Sequence, residues 1–129
     1  MAIRVKDFQR CIDFYQKYFG FEEFDSSDNP PPVGKEMHLR SGDAHIELFL
    51  AKDTAKEPDI DSVGKKDRGE CHHCFNVDHV EDVYERMKKD GVPMTLDLVE
   101  FRYDSGKRAK GFLFKDPDDT VVEVLEGYY

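Results

Sequence analysis

Three side chains of this sequence have the types and positions that a divalent metal site needs. His72 lies in the segment CHHCFNVD, and Glu47 and Glu123 interrupt the apolar segments HIELFL and VVEVLE. The Glu123 carboxylate, which lies between Val121 and Leu125, needs a compensating partner, and a divalent cation is one such partner. One imidazole with two carboxylates is a mixed nitrogen and oxygen set, which suits Zn, Ni, Mn or Fe.

The strand pattern decides which way these groups point. Side chains alternate along a strand, so His72 and Cys74 should share a polar face, while Phe75 and Val77 should share the face that packs under a helix. His73 falls on the core side, and we expect it to be structural.

The elements around these residues occur twice in the same order. The first set comprises a strand at 1–5, a helix capped by Asp7 and ended by Gly20, a loop at 25–35, and a hairpin at 36–40 and 44–50 that turns at Ser41-Gly42-Asp43. The second set comprises a strand at 71–77, a helix with an Asp78/Glu81 capping box that is ended by Gly91, and strands near 94–103, 109–115 and 120–126.

The spacing within the two sets is also similar. Val5 and Glu47 are 42 residues apart, and Val77 and Glu123 are 46 apart. The sequence therefore predicts an α+β fold of two tandem βαβββ modules, which form a cupped antiparallel or mixed sheet with the helices outside. We expect one domain over 1–129, with module 1 at 1–50, a polar linker at 51–70 and module 2 at 71–126.

The repeat also predicts a fourth ligand that the sequence does not supply. His72 lies five residues before Val77, and the matching position before Val5 precedes Met1. His45 shares a strand face with Glu47 and could replace this ligand, although it also suits the rim of the cup. The α-amino group of the first residue is a further candidate.

Other interpretations of the Cys71–Cys74 segment stay open. His72 could be a solvated strand residue. A structural zinc site needs four ligands, and the sequence has no second CxxC motif. Dithiol redox chemistry needs the first cysteine at a helix N-terminus, whereas here the predicted helix begins after Asp78.

The composition narrows the classes of partner. The formal net charge is −9, which disfavours nucleic acids and anionic membrane surfaces as partners. There is no apolar segment of about 20 residues and no signal-peptide core, so we expect a cytoplasmic protein that does not enter a membrane. The three cysteines are an odd number, which argues against a disulfide framework.

Four segments carry a resemblance to a known family: AIRVKDFQRCIDFYQKYFGF, HIELFL, HHCFNVDHVEDVYERMKKDGV and GFLFKDPDDTVVEVLE. They resemble the vicinal oxygen chelate superfamily, which includes glyoxalase I, bleomycin-binding proteins and extradiol dioxygenases, and the glyoxalase-like members most of all. The resemblance implies metal ligands at Glu47, His72 and Glu123, with the strand-one histidine of the family absent. It implies a small-molecule substrate and a homodimer.

The activity implied by the resemblance is that of a lyase or isomerase similar to lactoylglutathione lyase. A divalent metal (Ni, Zn, Mn or Fe) would chelate an oxygenated substrate, and Glu123 would move a proton as the catalytic base, with Glu47 as second candidate. Arg4 matches an arginine that contacts the thiol cofactor. The alternatives are a metal-free small-molecule-binding protein, as in bleomycin resistance, and an Fe(II) extradiol-type dioxygenase.

Overall fold

The computed structural model describes residues 1–52, 55–57 and 59–127. The chain divides into two units, Met1–Glu57 and Pro58–Tyr129. Each unit contains one helix and one four-stranded mixed sheet. The second unit also contains a two-stranded hairpin. The α+β prediction with tandem βαβββ units is confirmed.

The first unit has the elements β1 (Ala2–Val5), α1 (Phe8–Phe19), β2 (Glu22–Asp28), β3 (Lys35–Ser41) and β4 (Ala44–Leu50). Its strands lie in the order β1-β4-β3-β2, with β1 parallel to β4 and the other pairs antiparallel. Ile46 and Leu48 are fully buried on the face opposite Glu47. Burial of each such side chain stabilises the fold by about 1.5–3 kcal/mol.

Helix α1 follows the predicted apolar stripe. Cys11, Ile12 and Tyr15 are buried, and the helix contacts β2, β3 and β4. The Asp7 carboxylate accepts a hydrogen bond from the Arg10 amide at 3.2 Å, so the predicted N-cap is confirmed. Gly20 ends the helix with φ 67, a left-handed conformation that glycine adopts without a steric penalty.

The second unit has the elements β5 (Ile60–Asp61), β6 (Gly64–Lys65), β7 (His73–Asn76), α2 (Val80–Lys89), β8 (Met94–Arg102), β9 (Arg108–Lys115) and β10 (Val121–Gly127). The large sheet has the order β7-β10-β9-β8, again with one parallel pair, β7 and β10. Val80 and Met87 of α2 are buried, and the helix contacts β8, β9 and β10.

The strand registers show the duplication residue by residue. Glu47 pairs with Ala2 across the parallel strands of the first unit, and Glu123 pairs with Cys74 across those of the second. Ala2 lies three residues before Val5, and Cys74 lies three before Val77. Glu47 and Glu123 therefore occupy equivalent positions in the two sheets.

Three local predictions differ from the structure. Residues 25–28 of the predicted loop belong to β2, an edge strand. Strand β7 begins at His73, so His72 immediately precedes it. Helix α2 has His79 rather than Asp78 at its N-cap, and the Glu126 carboxylate accepts from the Val80 amide at 2.9 Å in place of the predicted capping box. A negative charge at this end of a helix is favourable.

The predicted linker 51–70 contains the β5–β6 hairpin, while its residues 53, 54 and 58 lie outside the described part of the chain. Neither helix of the described residues has the length and apolar character needed to cross a membrane.

Candidate functional site

His72 and Glu123 meet in the second unit. The Nε2 atom of His72 lies 2.9 Å from Oε2 of Glu123, and the two side chains are 22% and 17% exposed. The pairing of Glu123 with Cys74 explains this contact, because paired residues of neighbouring strands point to the same face, and His72 lies two residues before Cys74. The strand pattern predicts that these two residues share a face, and the structure brings them into contact.

The second ring nitrogen of His72 determines the chemistry of this pair. Nδ1 lies 2.7 Å from the carbonyl oxygen of Val63. A carbonyl oxygen can only accept, so Nδ1 carries the proton, and a neutral ring then has its lone pair on Nε2. That lone pair faces a carboxylate oxygen. A second proton on the ring or a cation must therefore lie between the two acceptors.

A divalent cation fits this arrangement. Metal-binding histidines usually donate their other ring N–H to a carbonyl or carboxylate, which fixes the tautomer and the ring orientation. His72 has such a partner in Val63, and Glu123 adds an oxygen ligand beside Nε2. An imidazole and a carboxylate are ligands that suit Zn, Ni, Mn and Fe.

Gly64 holds the hairpin that supplies the Val63 carbonyl. Its φ is 119, and a Cβ at this position would overlap the backbone carbonyl of Cys71. The Lys65 amide donates to the Cys71 carbonyl oxygen at 3.2 Å, which joins the hairpin to the residue before His72. Close approach of two backbones therefore positions the partner of His72.

We expect Gly64→Ala to loosen His72 and to lower the affinity for Zn²⁺ by about 10–100-fold, the usual cost of losing an outer partner of a metal ligand. The affinity is measured by competition with a chelator. Gly69→Ala is the matched control, because Gly69 has a similar φ of 111 but has open space within 4 Å of the point where a Cβ would lie. Equal affinities of the two variants would contradict this role of the hairpin.

Cys74 lies beside Glu123 but is not suited to dithiol chemistry. Burial and the neighbouring Glu123 carboxylate raise the pKa of the Cys74 thiol to about 11. Reactive dithiols need a lowered pKa. All three cysteines are free thiols, as the odd count indicated.

Glu47 belongs to the first unit, where it lies beside two imidazoles. His38, His45 and Glu47 each offer one ligand atom, and these atoms all lie within 4.8 Å of one another. Nδ1 of His38 is 2.9 Å from Nε2 of His45, and the two rings stack. The strand pattern predicted His45 as a possible ligand. It was not used to predict His38.

Glu36 and Ser27 extend this cluster of His38, His45 and Glu47. Oε1 of Glu36 lies 3.4 Å from Nε2 of His38, and the Ser27 hydroxyl donates to the same oxygen at 2.7 Å. The hydrogen bond from Ser27 holds the pKa of Glu36 below its usual value. Glu36 is therefore an ionised acceptor beside His38.

Arg4 and His73 are two further residues considered from the sequence, and each lies beside a neighbouring side chain. Arg4 lies over the ring of Phe49, with 6.0 Å between Cζ and the ring centroid, in the strand that pairs with the Glu47 strand. His73 lies 3.5 Å from Glu70, and burial lowers the pKa of its imidazole. His73 thus has the structural surroundings that the strand pattern predicts.

Comparison with known proteins places the chain in a family. The sequence model of the Glyoxalase/Bleomycin resistance protein/Dioxygenase superfamily matches residues 1–124. Glyoxalase I of Saccharomyces cerevisiae is 28% identical over 144 residues, and lactoylglutathione lyase of Schizosaccharomyces pombe is 30% identical over 137. Each match includes 96% of this chain but 43% of the relative, so the chain spans less than half the length of these proteins.

Among solved structures, a glyoxalase family protein from Enterococcus faecalis superposes with a TM-score of 0.72 at 24% identity, over 98% of this chain and 94% of the other. This similarity concerns the fold. The match to the superfamily model extends over nearly the whole chain and confirms the resemblance seen in the sequence. The chain belongs to the Glyoxalase/Bleomycin resistance protein/Dioxygenase superfamily, the vicinal oxygen chelate superfamily.

Proposed function

We propose that the chain is a glyoxalase-like, metal-dependent lyase or isomerase that transfers a proton on a small oxygenated substrate. The contact between His72 and Glu123 carries this proposal, because the Val63 carbonyl leaves the lone pair of His72 facing a carboxylate. The names of the two yeast relatives, glyoxalase I and lactoylglutathione lyase, support the choice of reaction.

In this proposal, His72 and Glu123 would hold the metal, and Glu47, the third predicted ligand, occupies the equivalent position in the sheet of the first unit. When bound, a divalent metal polarises substrate oxygens as a Lewis acid. A site with one nitrogen and two oxygen ligands suits Ni, Zn, Mn or Fe, and this ligand set is compatible with all four metals.

The protein groups supply binding and proton transfer. Glu123 removes a proton from the carbon next to a carbonyl and returns it to the neighbouring carbon, as a carboxylate base does. Its partial burial favours this role, because a carboxylate screened from water interacts more strongly with nearby charge. Arg4 offers a guanidinium to an acidic group of the substrate, and its position over Phe49 restricts its movement.

The proposal is tested by removing and restoring metal. Purified protein is treated with a chelator and assayed with the hemithioacetal of glutathione and a 2-oxoaldehyde, by the ultraviolet absorbance of the thioester. We expect chelation to lower the turnover by about 100-fold or more, because the metal stabilises charge worth several kcal/mol, and Ni²⁺, Zn²⁺, Mn²⁺ or Fe²⁺ to restore it.

The same preparation separates the two alternatives. A metal-free binding protein would bind the adduct equally well with and without metal and would form no thioester. An Fe(II) dioxygenase would consume oxygen with a catechol substrate. Either result would overturn the lyase proposal.

The homodimer and the cytoplasmic location remain predictions from the family resemblance and the sequence. Light scattering of the purified chain tests the first of them, with a mass of twice 15.0 kDa expected.

A further inference from the structure

His38, His45 and Glu47 share one face of the first sheet. Strands β3 and β4 pair so that His38 lies opposite Glu47, and Arg40 lies opposite His45. Paired residues point the same way, and so do residues two apart in a strand. The three side chains therefore converge from two neighbouring strands, and such elements hold ligands more rigidly than loops do.

The distances suit a metal ion. Two nitrogen ligands at about 2.1 Å from one ion are about 3.0 Å apart in an octahedral site and about 3.4 Å apart in a tetrahedral one. Nδ1 of His38 and Nε2 of His45 are 2.9 Å apart, and all three ligand atoms lie within 4.8 Å of one another. Two nitrogens and one carboxylate oxygen on one side of an ion leave the opposite side for solvent.

Glu36 fixes the tautomer that such a site requires. Its carboxylate lies 3.4 Å from Nε2 of His38 and is itself held by the Ser27 hydroxyl at 2.7 Å. A carboxylate favours a proton on the nitrogen that faces it, which leaves the lone pair of His38 on Nδ1. Nδ1 is the atom that faces His45.

The duplication shows that the two imidazoles are specific to the first unit. Leu113 pairs with Glu123 where His38 pairs with Glu47, and Val121 precedes Glu123 by two residues where His45 precedes Glu47. Both positions of the second unit are thus apolar and buried. The fold does not require histidine at either of them.

We propose that His38, His45 and Glu47 form a binding site for a divalent first-row transition metal within the first unit, with Glu36 orienting His38. This site is beyond the proposed lyase activity, because it needs neither His72 nor Glu123. Glu47 is common to both ligand sets, so a metal bound between the two histidines engages the carboxylate that the lyase proposal assigns to its own metal.

The test uses Zn²⁺ alone as the probe and the intact chain. Nitrogen-15 NMR of histidine-labelled protein follows each ring nitrogen as Zn²⁺ is added. We expect Nδ1 of His38 and Nε2 of His45 to shift on binding, because these are the two ligating atoms. This measurement on the unmodified protein does not depend on the folding of any variant.

Variants then measure the contribution of each ligand. We expect His38→Gln and His45→Gln to lower the affinity of this site for Zn²⁺ by about 100-fold, and Glu36→Gln by about 10-fold. His79→Gln is the matched control, since His79 is an exposed histidine at the start of α2 whose side chain makes no capping hydrogen bond. His72→Gln should leave the Zn²⁺-induced shifts of His38 and His45 in place.

The outcomes separate this inference from the lyase proposal. If the signals of His38 and His45 do not move, or if their Gln variants bind Zn²⁺ like the control, the first-unit site does not exist, whatever the enzyme assay shows. If their signals shift while no thioester forms with any metal, the site stands and the lyase proposal fails.

Discussion

Glu123→Gln is expected to lower kcat/KM for the hemithioacetal by about 10³-fold. General base catalysis by a positioned side chain contributes about 10²–10⁴-fold, and an amide cannot take the proton. The substitution keeps the size of the side chain and preserves an oxygen beside His72. Steady-state kinetics with saturating metal measures the change, and a fall in kcat at similar KM would show that the lost interaction belongs to the transition state.

Glu126→Gln is the matched control for this experiment. Glu126 is in the same strand three residues later, and its carboxylate accepts from the Val80 amide at the start of α2. Loss of this negative charge at a helix N-terminus should cost about 1 kcal/mol of stability and leave the turnover unchanged. Equal turnover of the Glu123→Gln variant and this control would remove Glu123 from the proton-transfer step.

The tandem fold was predictable because its signals are local and occur twice. The apolar stripe that ends at Gly20 and the one that ends near Gly91 have helical spacing, and strands of alternating polarity follow each of them. Hydrophobic periodicity is the strongest signal in a single sequence. The two similar spacings to Glu47 and Glu123 then indicated that the second half repeats the first.

The local predictions were wrong where a residue distant in the sequence, and not a near neighbour, makes the stabilising contact. Strand β2 is polar and exposed along most of its length, so it carries no apolar alternation, and only its pairing with β3 makes it a strand. The start of α2 has the composition of a capping box, but Glu126 from β10 supplies the hydrogen bond instead. Such a partner is 46 residues away in the sequence.

The sequence predicted the part of the candidate site whose residues have equivalent positions in the two repeats. The contact of His72 with Glu123 followed from their strand positions, whereas the role of the Val63 carbonyl required the β5–β6 hairpin. His38 was overlooked although a signal existed. The turn at Gly42 makes Ser41 pair with Ala44, and continuing that antiparallel register pairs His38 with Glu47.

Asp116→Ala is expected to lower the free energy of unfolding by about 3 kcal/mol, the largest effect on stability that we predict. Asp116 is 4% exposed, and its carboxylate accepts from the amides of Asp118 and Thr120 at 2.9 Å each. Hydrogen bonds to charged groups contribute about 1.5–3 kcal/mol each, and alanine would leave both donors without this acceptor. Urea unfolding followed by circular dichroism measures the change.

This turn also sets the register of the strand that carries Glu123. Asp116 closes the turn between β9 and β10 through its backbone as well, and the first pair beyond the turn is Lys115 with Val121. Asp116→Asn keeps an acceptor and should cost about 1 kcal/mol, while Asp104→Ala, in an exposed turn, should stay within about 0.5 kcal/mol of the parent. If Asp116→Ala were no more destabilising than Asp104→Ala, the Asp116 carboxylate would not be what holds this turn, and the position of Glu123 would depend on strand pairing alone.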